Sequence, residues 1–229
     1  MNTAIIVAAG SGQRFGSQPK QFANLLGKPI IIHTLERFAA CPKIDEIVLV
    51  LSDDGREYFD RIINQFEISN LRSIIGGGKT RAESVKKGLD SIAANADDIV
   101  AIHDGARPLV SVDEITRTVE KATQTGAACL VVDVTDTIKE IDGEHILRTI
   151  DRSKLRRAVT PQAFRYDILK RAFKGVDLTE SITDECYLVE RLDVKIAWVK
   201  GNSRNIKITR PEDLLFAELT IEKEKAVSE

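Results

Sequence analysis

The chain has 229 residues, 43% of them hydrophobic, and its 33 Lys and Arg against 35 Asp and Glu give a formal net charge of −2. This composition excludes wholesale disorder, and the near-zero charge argues against a dedicated nucleic-acid binder. No apolar run approaches the length of about 20 residues that crosses a bilayer, and the start lacks the basic residues of an export signal. We therefore expect a cytoplasmic protein with no membrane or nucleic-acid partner. The three cysteines, Cys41, Cys129 and Cys186, are widely spaced, which favours buried thiols over disulfides or a zinc site.

Apolar runs alternate with helical patterns along most of the chain. The runs that predict strands are Thr3–Ala9, Glu46–Leu51, Leu71–Ile75, Ile99–Ile102, Ala128–Val132 and Lys195–Val199. Amphipathic spacing predicts helices at Ile30–Ala40, Arg81–Ala93 and Pro211–Leu219. Because most of the strands are continuously apolar, both of their faces are expected to be covered. The pattern predicts one α/β domain over residues 1–229, with a mostly parallel sheet and helices on both faces.

The segment Thr135–Ala158 interrupts this alternation because it is polar, charged and rich in β-formers. Asp142-Gly143 is a turn signal between the two strands of a predicted hairpin, Thr137–Ile141 and His145–Ile150. A hairpin of this polarity buries little surface by itself, so we expect it to project from the sheet and to pack on a partner chain or over a site. The charged tail Ile221–Glu229 is expected to fray.

The first candidate site follows the first strand, where Ala8–Gly16 reads AAGSGQRFG and is followed by Pro19-Lys20-Gln21. Loops at the carboxyl ends of parallel strands bind ligands in α/β folds, and glycines let backbone N–H groups approach phosphate oxygens. Arg14 and Lys20 would add two positive charges. The alternative interpretation is an ordinary strand-to-helix turn with solvated cations. Phe15 stands where a dinucleotide fingerprint needs its third glycine, and the loop lacks the Gly-Lys-Ser/Thr of a Walker motif.

A second glycine-rich segment, Gly76–Ser84, also follows a predicted strand and reads GGGKTRAES. Its Gly78-Lys79-Thr80 matches the end of a Walker motif, but Ser73 stands where that motif needs its first glycine. Ser84 would lie one turn into the next helix and could direct its hydroxyl at the same pocket. A flexible loop without a ligand is the alternative.

The third motif is HDGARP at His103–Pro108, again at a strand end. Asp104 could hold Mg²⁺ or a hydroxyl, and Arg107 could meet an anion, although a structural Asp–Arg pair is the alternative. We interpret His103 as a packed, hydrogen-bonded residue and not as a base. Three later motifs are Thr160-Pro161-Gln162, Ile182–Glu185 and Asn205–Thr209, and the last two could also be a helix N-cap and an edge strand.

Taken together and in this order, the motifs resemble those of the 2-C-methyl-D-erythritol 4-phosphate cytidylyltransferase family. The resemblance runs from about residue 3 to about residue 218 and adds Asp136-Thr137 to the segments already quoted. It implies a Rossmann-like nucleotidyltransferase domain and a homodimer interlocked by a β-arm, which residues 135–158 would form. It also implies transfer of a cytidylyl group from CTP to the phosphate of a sugar alcohol, with release of pyrophosphate and with Mg²⁺ as cofactor.

The resemblance assigns roles residue by residue. It implies that Arg14 and Lys20 stabilise the transition state, that Lys207 positions the acceptor phosphate, and that Arg152, with Thr137 beside it, reaches the neighbouring subunit's site. The residues that it implies for CTP are Ala8, Ala9, Gly10, Ser11, Gly12, Gly78, Ser84 and Asp104, with Asp104 also near the metal. Those that it implies for the acceptor are Arg107, Thr137, Thr160 and Thr183. The chain departs from the family at Lys79, where many relatives carry an acid.

Three other functions have to be weighed. A ribitol-5-phosphate cytidylyltransferase would share the loop, the fold and the arm, but it tends to differ in the residues after Asp104 and after Asp184. A nucleotide-binding module without catalysis would be expected to lack Arg14, Lys20 or Lys207, all of which are present. An NAD-dependent oxidoreductase is disfavoured by the missing third glycine and by Leu51-Ser52, which stands where an acid should end the second strand.

Overall fold

The computed structural model describes residues 1–10, 19–178 and 182–228. Its strands, in chain order, are β1 (Asn2–Ala8), β2 (Asn24–Leu25), β3 (Lys28–Pro29), β4 (Glu46–Leu51), β5 (Leu71–Gly76), β6 (Ile99–Asp104), β7 (Ala127–Asp133), β8 (Lys139–Asp142), β9 (His145–Thr149), β10 (Arg156–Arg165) and β11 (Ala197–Lys200). Seven of them form one sheet in the order β11-β7-β10-β6-β1-β4-β5. All its neighbours are parallel except β10, which is antiparallel to β6 and β7. The six predicted strands are confirmed.

Helices cover both faces of the sheet, as predicted. They are α1 (Ile30–Ala39), α2 (Asp53–Ile62), α3 (Arg81–Asp90), α4 (Val112–Thr125), α5 (Tyr166–Ala172), α6 (Glu185–Glu190) and α7 (Glu212–Ser228). Alternation along β1 shows the two layers, since Ala4 and Ile6 pack in the core with α1, α2 and α4, whereas Ile5 packs in the core with α3, α5 and α6. Burial on both faces explains why these strands are apolar throughout.

The chain changes direction across the sheet at β1. From β1 it runs outward to β4 and β5, and it then returns to place β6 on the other side of β1. Val7 pairs with Asp104 of β6, and Ala8 pairs with Leu51 of β4, so the carboxyl ends of the three strands lie side by side. A switch point of this kind opens a crevice beyond the strand ends, and ligands of open α/β sheets bind there.

The predicted hairpin is present, but its second boundary is wrong. Strands β8 and β9 form a separate two-stranded sheet around a turn in which Gly143 has a φ of 54°. The predicted segment extended to Ala158, whereas residues 156–158 pair with β7 in the main sheet. Pro161 obscures this strand in the sequence, and it lies where the register of β10 against β7 shifts between Ala158 and Gln162, a position at which a strand tolerates proline.

The C-terminal segment is helical and not frayed over the described part of 221–229. Helix α7 continues to Ser228 because it buries Ala217 and Ile221 in a small core with Leu25 and Ile30. An ion pair of 2.6 Å between Arg37 and Glu224 adds a contact to α1. Burial of one apolar stripe therefore outweighs the high charge of this segment.

Within the described ranges, no helix combines the length and the apolar character needed to cross a bilayer.

Candidate active site

A cavity of about 180 Å³ lies at the switch point between β1 and β6. Residues from all three of the early sequence motifs and from the Asn205–Thr209 segment line it: Val7, Ala8, Ala9, Gly10, Lys20, Gln21, Gly78, Lys79, Thr80, Arg81, Ser84, Asp104, Ala106 and Lys207. The structure thus brings together Ala8, Ala9, Gly10, Lys20, Gly78, Ser84, Asp104 and Lys207 from the predicted set.

The end of β1 forms one wall of the cavity. The buried amide of Gln21 donates a hydrogen bond of 2.8 Å to the carbonyl of Ala8, and this contact ties the Pro19-Lys20-Gln21 turn to the strand end. Lys20 is thereby placed at the cavity. Three predicted residues of this loop, Ser11, Gly12 and Arg14, lie outside the described residues.

The glycine-rich turn forms the opposite wall. The hydroxyl of Ser84 accepts a hydrogen bond of 3.0 Å from the N–H of Gly78 and donates one of 2.9 Å to the carbonyl of Thr80. Ser84 lies in the first turn of α3, as predicted, and its hydroxyl shapes the glycine-rich turn. A Cβ on Gly77 would stand 2.3 Å from the Cβ of Ala9, closer than two carbon atoms can approach. Glycine is required here because the glycine-rich turn touches the end of β1.

Asp104 is the electrostatic centre of the site. Its Oδ1 accepts from the Nε of Arg81, and its Oδ2 faces the Nε of Arg107 and the Nζ of Lys207, each at 3.1 Å. Burial alone would raise the pKa of Asp104, but the three cations together hold that pKa well below its usual range. The carboxylate is therefore ionised at neutral pH. The Asp–Arg pair offered as the alternative is present, and binding of an anion by Arg107 stays a prediction.

His103 and Thr160 fix the backbone on either side of this carboxylate. The Nε2–H of His103 donates to the carbonyl of Arg107 at 3.1 Å, and its Nδ1 accepts from the hydroxyl of Thr160 at 3.0 Å. That hydroxyl in turn accepts from the N–H of Asp104 at 3.1 Å. The buried imidazole packs 4.8 Å from the ring of Phe38. The interpretation of His103 as a packed, hydrogen-bonded residue is confirmed, and Thr160 contacts its protein neighbours through the same hydroxyl.

His103 should make stability depend on pH. Burial lowers its pKa to about 3, from 6.5 in the unfolded chain. Because the unfolded state binds the proton more readily, the contribution of His103 is complete above pH 6.5 and is lost as the pH falls towards 3. Between pH 7 and pH 5 we expect a loss of about 2 kcal/mol in the free energy of unfolding.

Urea unfolding at the two pH values measures this loss, and His103→Gln is the comparison. The variant should be less stable at both values but should lose about 2 kcal/mol less between them. The pKa of His33 is also lowered, but His33 is present in both proteins and cancels. Equal losses in the two proteins would refute a buried neutral His103.

Two buried amides tie the later motifs to the site. The side-chain amide of Asn205 donates to the backbone carbonyl of Thr160, and the backbone carbonyl of Asn205 accepts from Nη1 of Arg107, both at 3.0 Å. Gln162 donates to Asp184 at 2.9 Å and accepts from the backbone of α6. Thr183 is exposed at the start of α6 and lines a separate cavity of about 380 Å³. Asn205 thus sets the path of the chain to Lys207, which lies two residues further on.

Thr137 and Arg152 flank the β8–β9 hairpin on either side, outside the switch-point cavity. Both are exposed, and Arg152 donates to the carbonyl of Thr135 where the hairpin leaves the sheet. Among the described residues that line the switch-point cavity, neither is present. The same hairpin exposes Ile141, Ile146 and Leu147, which are 65%, 64% and 59% accessible. Apolar residues this exposed on a protruding hairpin are typical of a protein–protein interface.

The donor set fits a Mg²⁺ ion that arrives with a polyphosphate. Asp104 is the one carboxylate among the described residues that line the cavity, and no cluster of three or more acidic, His or Cys side chains occurs in the described parts of the chain. Mg²⁺ is commonly held by one or two carboxylates together with substrate phosphates. One carboxylate would therefore suit a metal that a phosphate-bearing ligand also holds.

Sequence reasoning gave no role to two charged side chains, Arg81 and Glu185, that the structure joins to Asp104. Arg81 contacts Asp104 through Nε and contacts Glu185 through Nη1 at 2.6 Å. Both residues stood inside quoted motifs, but neither received a role. An Arg directly after a glycine-rich loop was the available signal for Arg81, whereas nothing in the sequence marked Glu185 as buried.

Comparisons with known proteins agree with this geometry. Residues 2–223 match the family described as IspD: 2-C-methyl-D-erythritol 4-phosphate cytidylyltransferase. Relatives of that name from Dehalococcoides mccartyi (strain ATCC BAA-2266 / KCTC 15142 / 195) and Bacillus velezensis are each 41% identical, over 96% of this chain and 96% and 95% of theirs.

Solved structures show the same likeness. The 4-diphosphocytidyl-2C-methyl-D-erythritol synthase of Anaerococcus prevotii superposes with a TM-score of 0.85 at 30% identity, covering 97% of this chain and 96% of its own. The 2-C-methyl-D-erythritol 4-phosphate cytidylyltransferase of Thermus thermophilus superposes with a TM-score of 0.75 at 30% identity, covering 97% of this chain and 100% of its own. Family match, sequence identity and fold agree over nearly the whole chain, and the chain belongs to the 2-C-methyl-D-erythritol 4-phosphate cytidylyltransferase family.

Proposed function

We propose that the chain transfers a cytidylyl group from CTP to 2-C-methyl-D-erythritol 4-phosphate, giving 4-diphosphocytidyl-2-C-methyl-D-erythritol and pyrophosphate. The observation that carries this proposal is the convergence of Lys20 and Lys207 on one cavity between two glycine-containing strand ends. Cations and backbone N–H groups at a switch point suit a substrate made of phosphates. Family membership then selects the nucleotide and the acceptor.

CTP is held by the two loops that form the walls of the cavity. The backbone of Ala8–Gly12 and of Gly78, with the turn shaped by Ser84, accommodates base and phosphates. Backbone groups can accept a hydrogen bond from the exocyclic amine of cytosine, which uracil lacks. Asp104 lies between nucleotide and acceptor, at the strand end where the two substrates meet.

The acceptor phosphate is already anionic at neutral pH, so its oxygen attacks the α-phosphorus of CTP without a strong base. The difficulty is to bring one anion onto another and to stabilise the charge that develops. Arg14 and Lys20 stabilise that charge, and Lys207 holds the acceptor phosphate in line. Arg107 and Thr183 contact the acceptor, and Thr160 supports its pocket through Asp104.

Mg²⁺ is the proposed cofactor, and Asp104 is the side chain that would help to hold it beside the nucleotide. When bound, the ion would neutralise charge on the triphosphate and on the leaving pyrophosphate.

The arm supplies the rest of the site to a second copy of the chain. Arg152 and Thr137 are exposed and lie away from the cavity of their own chain, and the hairpin also exposes an apolar cluster. A symmetric homodimer in which each arm crosses to its neighbour buries that cluster and completes both sites.

The proposed function is tested by measuring the release of pyrophosphate from CTP in the presence of Mg²⁺ and an acceptor. We expect release with 2-C-methyl-D-erythritol 4-phosphate and not with ribitol 5-phosphate as a parallel acceptor. Release with ribitol 5-phosphate alone would keep the fold and the mechanism and overturn the acceptor. Binding of CTP without release of pyrophosphate in the presence of either acceptor would instead identify a nucleotide-binding module that has lost catalysis.

A further inference from the structure

Arg81 differs from the other cations on Asp104 because both of its contacts are to protein carboxylates. Its Nε donates to Asp104 at 3.1 Å, and its Nη1 donates to Glu185 at 2.6 Å. Burial alone would lower the pKa of Arg81, but the two carboxylates raise it, so the guanidinium stays charged. Its planar fork is occupied from two sides and has a fixed orientation.

Glu185 is the unusual member of this group. Its side chain is fully buried at the start of α6, and its Oε2 has no hydrogen-bond partner. Removing a carboxylate from water is costly, and a buried ion pair seldom adds net stability over an apolar pair of similar size. An incompletely satisfied buried carboxylate therefore suggests a role other than stability.

The two oxygens of Asp104 have different partners. Oδ1 faces Arg81, whereas Oδ2 faces Arg107 and Lys207. Lys207 is about a third exposed and makes its ion pair from a flexible side chain, so it can turn towards a phosphate. When it does so, Asp104 loses one of its charge partners on Oδ2. Arg81, held by Glu185, keeps its contact with Oδ1.

We propose that Arg81, anchored by Glu185, is a positioning residue that keeps the Asp104 carboxylate in place while Lys207 leaves it for substrate phosphate. This inference rests on the proposed function, because it needs a phosphate substrate at the cavity. The pair acts through Asp104 and does not touch the reacting atoms. Its contribution is therefore to the geometry of the loaded site and not to capture of the nucleotide.

Three variants separate positioning from mere stability: Arg81→Gln, Glu185→Gln and the double variant. Arg81→Gln leaves Glu185 buried without its partner and should lower Tm by about 10 °C. The double variant replaces both charges with amides that can bond to each other, so Tm should return to within a few degrees of that of the wild type. Its kcat at saturating substrates should nevertheless stay about 10- to 100-fold low, as expected for a lost supporting contact to an active-site carboxylate.

Binding of CTP without Mg²⁺, measured by calorimetry, shows whether the double variant still has an intact cavity. We expect its Kd to stay within about threefold of the wild-type value. Glu185→Gln retains the charge of Arg81 and should still lower kcat, because the anchor is weakened. Arg117→Gln is the matched control, since Arg117 is a helical Arg paired with Asp113 at the surface. Its kcat and Tm should not change.

The proposal is overturned if the double variant recovers kcat together with Tm, if CTP binding falls in parallel with kcat, or if Glu185→Gln keeps full activity. Wild-type protein that releases no pyrophosphate from CTP with either acceptor would refute the proposed function instead. The two failures are therefore distinguishable.

Discussion

Replacing Lys207 with Gln is expected to lower kcat/KM by about 10²–10³, the loss typical of removing one preorganised donor from developing charge. Lys207 lines the cavity, and its Nζ forms an ion pair of 3.1 Å with Oδ2 of Asp104. The variant should fold normally, because Asp104 keeps its contacts with Arg81 and Arg107. Steady-state kinetics with both substrates, together with Tm, measure the two effects.

Lys200→Gln is the matched control for this experiment. Lys200 also ends in an ion pair of 3.1 Å, with Asp133, but it is solvent-exposed and far along the sheet on β11. Its replacement should leave kcat/KM within about twofold and Tm unchanged, as is usual for a surface pair. A Lys207→Gln enzyme with kcat/KM close to that of the wild type would contradict the assignment of Lys207 to the acceptor phosphate.

The strands of the sheet were predictable because a strand that is buried on both faces is apolar over its whole length. Strand β4 is apolar from Ile47 to Leu51, and the predicted strand has the same two ends as the observed one, Glu46 and Leu51. Parallel pairing then requires the ends of β1 and β6 to meet, which places Ala8 near Asp104. Two glycine-containing loops and one acid at neighbouring strand ends therefore indicate the position of the cavity from the sequence alone.

The ion pairs around Asp104 were not predictable, because their partners come from elements that are distant in the sequence. Arg81 opens α3, Lys207 precedes α7, and both converge on Asp104. The interpretation of Thr183-Asp184-Glu185 as a helix N-cap is right for Asp184, which accepts from the backbone of Tyr187. That interpretation does not predict the burial of Glu185, because an acid in the first turn of a helix is usually solvated. Tertiary packing, and not local pattern, buries that carboxylate.

Helix α4 shows the opposite case, a signal present in the sequence that the predicted elements do not include. Ser111 and Glu114 form a complete capping box at its start. This pattern of Ser, two residues and Glu before an amphipathic run identifies a helix N-terminus. The missing strand β10 has a different cause, because its polar first residues and Pro161 hide it from any search for apolar runs.

Replacing Arg152 with Ala is expected to reduce kcat/KM by about 100-fold while leaving the fold of each chain intact. Arg152 is exposed and contacts its own chain at the carbonyl of Thr135, so the isolated subunit loses little. The loss of activity follows from the proposed transfer of the arm to the neighbouring site. Lys154→Ala, at a second exposed cation of the same turn, is the control and should retain activity. If the Arg152→Ala enzyme kept wild-type activity, the proposal that the arm contributes Arg152 to the site would be refuted.

Mixing two inactive proteins then tests whether the site is shared. In a heterodimer of Lys207→Gln and Arg152→Ala chains, one site contains the intact Lys207 of one chain and the intact Arg152 of the other. The second site contains neither. Random exchange makes about half of the dimers mixed, so the mixture should recover about a quarter of wild-type activity. If instead Arg152 served its own chain, every site would lack one of the two cations and the mixture would stay inactive. Recovery that requires subunit exchange, and is absent when the proteins are assayed before exchange, is therefore the result expected of an arm that crosses between subunits.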